Sequence, residues 1–116
     1  MIRSIYAVWV YVRDVHESRQ FYEGVLGFRL KLQDGDWIEY DLGQTSFALL
    51  KRPPEKGPLK PQKTRIMFLT EDIEGMQRRL EEHSVQLIGP IRQESYGKLL
   101  TFLDPNGQWL ELFEPK

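Results

Sequence analysis

Ile5-Tyr6-Ala7-Val8-Trp9-Val10-Tyr11-Val12-Arg13-Asp14-Val15-His16-Glu17 decides the fold. Residues 5–12 are apolar and β-branched or aromatic almost throughout, the composition of a strand covered on both faces. Asp14 stops the strand and is placed to accept hydrogen bonds from the N–H groups that open a helix, with Glu17 at the capping-box position. Val15, Ser18, Tyr22 and Val25 then fall on one helical stripe, and Gly27 suits the left-handed residue that ends it. Residues 28–33, 37–42 and 46–51 read as three short strands, separated by Asp34-Gly35-Asp36 and Gly43-Gln44-Thr45.

The chain then repeats itself. Residues 65–70 form a second strand, Asp72 caps a second helix, and Ile73, Met76 and Leu80 recur at helical spacing. Asp72 follows Asp14 by 58 residues, half of the 116 in the chain. Residues 85–93, 99–103 and 108–114 complete the strands, with Asp104-Pro105-Asn106-Gly107 as a turn. The expected organisation is one domain, 1–116, with module one at about 1–52, a linker at about 53–63 and module two at about 64–116. Four prolines between 53 and 61 predict a stiff, extended linker without regular structure. Its Lys51, Arg52, Lys56, Lys60 and Lys63 read as solvated charge.

Composition removes several functions. Sixteen Lys and Arg against 17 Asp and Glu leave a net charge of −1, too little positive field for general binding of nucleic acid or anionic membrane. The absence of cysteine excludes disulfides, thiolate nucleophiles and Cys-built zinc sites. No glycine spacing matches a nucleotide-phosphate loop. No His lies on a strand beside a Ser or Thr, which argues against a Ser-His-Asp arrangement. The first four residues lack the basic start and apolar run of a secretory signal, so the expectation is a soluble, cytoplasmic protein.

Three stretches together are similar to the vicinal oxygen chelate superfamily, which includes glyoxalase, bleomycin-resistance proteins and extradiol dioxygenases. Val10-Tyr11-Val12-Arg13-Asp14-Val15 with Ser18, Phe21-Tyr22 and Val25-Leu26-Gly27-Phe28 resembles the family's first strand, helix and helix ending. Residues 68–73 resemble the start of its second module, and Phe102-Leu103-Asp104-Pro105-Asn106-Gly107 with Leu110-Glu111-Leu112 its last hairpin. The resemblance implies an α+β fold of two tandem βαβββ modules forming a curved mixed-sheet cup, commonly in a homodimer.

It also implies four metal ligands, and this chain keeps one. Counting back seven residues from Asp14 and Asp72 puts Ala7 and Arg65 at the two His positions, and the acidic positions hold Ala48 and Glu111. His16 and His83 fall on the helices, away from those strands. The expectation is therefore no metal and no other cofactor, since one carboxylate does not hold a divalent ion well. Strand alternation puts Trp9, Tyr11, Arg65, Met67, Trp109 and Glu111 on the cup side as ligand-binding residues, with Phe113 beside them. Two further outcomes stay open: these aromatics fill the cup themselves, and Arg65 pairs with Glu111 in place of the metal. The leading functional expectation is a homodimeric small-molecule-binding protein that holds an aromatic or amphiphilic ligand in its cup and has neither nucleic acid nor membrane as a partner. The alternatives are a glyoxalase-type lyase, isomerase or dioxygenase using Glu111 with a divalent cation, and an inert interaction module.

Overall fold

Asp14 and Asp72 both cap helices: Asp14 Oδ1 accepts from the Glu17 N–H at 2.9 Å and Asp72 Oδ1 from the Gly75 N–H at 3.0 Å. The structure, a computed structural model, describes Met1 and residues 3–116. It divides into two units, Met1–Lys60 and Pro61–Lys116, each a βαβββ module.

In the first unit β1 (Ala7–Val12) leads through α1 (Val15–Arg19) to β2 (Arg29–Asp34), β3 (Trp37–Asp41) and β4 (Ser46–Lys51). The sheet order is β1-β4-β3-β2, with β1 parallel to β4 and the other pairs antiparallel. β1 starts two residues later than expected because its partner begins at Ser46, just past the Gly43 turn, and pairs with Ala7. The helix also differs from expectation. It widens after Arg19 into a π-helix, Gln20–Val25, in which the Leu26 N–H reaches back five residues to the Phe21 carbonyl. Gly27 (φ +76°) takes the left-handed conformation that ends it. Val10, Val12, Ile38, Tyr40, Phe47 and Leu49 are buried beneath this helix, around Tyr22. Burial raises the Tyr40 phenol above its ordinary range, and its hydrogen bond to Glu23 (2.8 Å) acts in the same direction.

In the second unit β5 (Ile66–Leu69) leads through α2 (Ile73–Glu82) to β6 (Leu87–Glu94), β7 (Gly97–Leu103) and β8 (Trp109–Pro115), in sheet order β5-β8-β7-β6. Ile73 and Leu80 pack on Leu100, Phe102, Leu110 and Leu112, all buried. β6 shifts register between Ile88 and Arg92, across Gly89 and Pro90. The Asp104 carboxylate closes the following turn, accepting from the N–H groups of Asn106 and Gln108, both at 2.8 Å.

The proline-rich segment is not wholly irregular, a correction to the expectation. Pro54–Lys56 forms one 3-10 turn, since proline suits the first position of a helical turn. Arg52 holds that turn by donating to the carbonyls of Lys56 (2.6 Å) and Gly57 (3.1 Å). Among the described residues no helix is long and apolar enough to cross a membrane.

Candidate functional site

Each sheet buries one face under its helix, and alternation sends every second side chain to the other face. In the first unit that second face carries the rung Trp9–Ala48–Glu39, flanked by Ala7–Ser46–Asp41 and Tyr11–Leu50–Trp37. The Trp9 ring meets Tyr11 edge-on at 5.0 Å and Trp37 at 6.3 Å. Trp9, Tyr11 and Trp37 thus form one aromatic cluster on this face.

Glu39, absent from the sequence-based site, is the polar centre of this face and only 3 % exposed. Its carboxylate accepts from the Ser46 hydroxyl (2.8 Å), the Trp37 indole N–H (3.1 Å) and the Tyr6 hydroxyl (3.0 Å), and pairs with Lys31 Nζ at 3.3 Å. Those donors, Ser46 foremost and then Trp37, overcome the cost of burial and hold the Glu39 carboxyl at about 2. Alternation on β3 was the signal that marks it, because Ile38 and Tyr40 are core and Trp37 and Glu39 must then face the other way.

In the second unit the corresponding rung is Met67–Glu111–Thr101. The expected pair of Arg65 with Glu111 is not formed. Glu111 instead accepts from Arg92 Nη2 and from the Thr101 hydroxyl, both at 3.3 Å. The register shift in β6 brings Arg92 to Glu111, whereas Arg65, just before β5, lies over the Trp109 ring with its Cζ 4.7 Å from the centroid. Met67 is about half exposed and Trp109 is 39 % exposed. Trp109 and Arg65 line a pocket of about 320 Å³ with Pro61, Gln62 and Lys63.

These residues do not suit a divalent ion at the family's ligand positions. Ala7 and Ala48 have no donor atom, and the Arg65 guanidinium, always protonated, cannot ligate a cation. Glu111 is the remaining donor, and it is engaged by Arg92 and Thr101. His16 and His83 are exposed, on α1 and at the end of α2. Asp72, Glu74 and Glu114 do lie close together, but they are occupied: Asp72 caps α2, Glu114 accepts from the Ile73 N–H at 2.9 Å, and Glu74 pairs with Lys98 at 2.7 Å.

Comparison with known proteins agrees with this architecture. The family model described as glyoxalase/bleomycin resistance protein/dioxygenase superfamily matches residues 4–112. The chain is 27 % identical over 114 residues to an uncharacterized protein, YetH, of Bacillus subtilis strain 168, covering 92 % of this chain and 94 % of the relative. Among solved structures it is similar to TnmS3, an antibiotic binding protein from Streptomyces sp. CB03234, with a TM-score of 0.82, 27 % identity, and 99 % and 98 % of the two chains covered. It is similar also to the integron cassette protein HFX_CASS4, from the mobile metagenome of the Halifax Harbour sewage outfall, with a TM-score of 0.80, 30 % identity, and 97 % and 99 % covered.

Proposed function

Given that this chain belongs to the glyoxalase/bleomycin resistance protein/dioxygenase superfamily, we propose that it is a small-molecule-binding protein that works without a metal ion and holds a partly aromatic compound against Trp109. The observation that carries this reading is the pocket of about 320 Å³ in the second unit, where a half-exposed indole forms one wall and Arg65, Lys63 and Gln62 supply polar groups. A concave site with an apolar wall and a few convergent polar groups is the usual make-up of a small-molecule site. The similarity to an antibiotic binding protein supports the same class.

An enzyme built on Glu111 is less well supported. A general base needs a lone pair aimed at a substrate proton, and the Glu111 carboxylate already accepts from a guanidinium and a hydroxyl.

The test is a panel of aromatic metabolites and antibiotics read by tryptophan fluorescence. At least one compound is expected to quench emission saturably, and Trp109→Leu is expected to weaken its binding by about tenfold or more, through loss of stacking and buried ring area. Trp9 and Trp37 remain as reporters of the folded state. Equal affinity in wild type and Trp109→Leu, or no quenching by any compound, contradicts the proposal.

A further inference from the structure

The pocket beside Trp109 carries two cations and no acid: its walls are Pro61, Gln62, Lys63, Arg65 and the indole. Among the described residues neither Arg65 nor Lys63 makes an ion pair or a side-chain hydrogen bond; the contact of Arg65 is with the Trp109 ring. The first unit supplies an internal contrast. Arg52 lies over Tyr11 in the same way, 4.9 Å from the ring centroid, but its guanidinium is consumed by the carbonyls of Lys56 and Gly57. Arg65 has the same aromatic support and keeps its donors. A guanidinium laid on an indole face leaves its N–H edge directed away from the ring, and that planar fork matches a carboxylate.

The rim of the pocket is held in place by the protein. Gln108, buried, grips residue 62 from both sides: its Oε1 accepts from the Gln62 N–H at 2.8 Å and its Nε2 donates to the Gln62 carbonyl at 3.0 Å. Asp104 fixes Gln108 in turn through the backbone of the turn. Lys63 follows directly on this clamped residue, so its backbone is held at the rim of the pocket and its side chain is within the lining.

We infer that this pocket selects anionic ligands, namely flat aromatic compounds bearing a carboxylate, with the ring against Trp109, the carboxylate on the Arg65 fork and Lys63 adding a second positive charge. The inference rests on the proposed function, whose ligand class it names.

Naphthoate and its neutral isostere naphthamide are the probes, titrated calorimetrically into the whole chain. Naphthoate is expected to bind about tenfold or more tightly than naphthamide, as a charge-assisted pair contributes more than a neutral hydrogen bond. Arg65→Gln is expected to erase that preference, bringing the naphthoate affinity to that of naphthamide in the same variant, because the charge that tells the two probes apart is gone while Trp109 remains. Lys63→Gln is expected to reduce it about two- to threefold, and added salt to shrink it in the wild type. If both probes bind equally and Trp109→Leu weakens both, the aromatic pocket stands and the anion selectivity is overturned. If the preference survives Arg65→Gln, the assignment to Arg65 is overturned. If neither probe binds, the inference fails, and a neutral aromatic from the wider panel that binds through Trp109 shows that the proposed function has not failed with it.

Discussion

Glu39→Ala lowers the unfolding free energy by about 3 kcal/mol at neutral pH, the cost of leaving buried donors without an acceptor. The substitution strips the Ser46 hydroxyl and the Trp37 indole N–H of their common partner on a face where Glu39 is almost fully covered. The charge adds a pH signature. Glu39 is held at about 2 in the folded chain against 4.5 for an unperturbed side chain. A carboxyl whose folded value is depressed stabilises the protein above the unfolded value, and that contribution is lost as pH falls from 4.5 towards about 2. Urea denaturation across this interval is therefore expected to show wild-type stability falling steeply with acid. Glu39→Gln, which keeps the shape and one acceptor but has no charge to lose, is expected to fall less steeply. Parallel acid limbs in the two proteins would refute the assignment.

Tyr22→Ala is expected to cost about 4 kcal/mol, in the range found when a large buried aromatic is truncated to a methyl group. Tyr22 is fully buried, and its ring packs against Phe47 at 5.1 Å, Phe28 at 5.8 Å and Tyr40 at 6.3 Å. Those rings come from the helix ending and from β3 and β4, so no single neighbour can move to fill the space without displacing a strand. Tyr22→Phe keeps the ring and is expected to cost much less. Chemical denaturation of the three proteins measures both, and equal stabilities for Tyr22→Ala and Tyr22→Phe would refute the claim that ring volume is what Tyr22 supplies.

The fold was legible because its punctuation is local. Asp14, Asp72, Gly27 and the Asp104 turn act on backbone groups a few residues away, so sequence spacing suffices to place them. The alternation of Trp9 and Tyr11 against Val10 and Val12 was equally readable from strand period. Charge pairing was not. Arg65 immediately precedes β5, the strand beside the β8 of Glu111, yet the partner of Glu111 is Arg92, from β6, brought there by an irregular stretch at Gly89 and Pro90 that no spacing rule locates. Glu39 was missed for a different reason. Its place was implied by the alternation of β3, but the ligand positions used to define the face lead to Ala48, its neighbour across the rung.

The two acids are both engaged by partners within the chain. Each is already neutralised within its own module, Glu39 by Lys31 from β2 and Glu111 by Arg92 from β6, and each accepts a hydroxyl, from Ser46 and Thr101. An ion would have to displace those donors.

The most direct measurement is the affinity of a compound that quenches through Trp109, determined after exhaustive chelation and again with zinc, nickel, manganese or ferrous iron in excess. The account predicts one affinity throughout, unchanged by Glu111→Gln. Binding that appears only with a metal present, and is lost in Glu111→Gln, would contradict it.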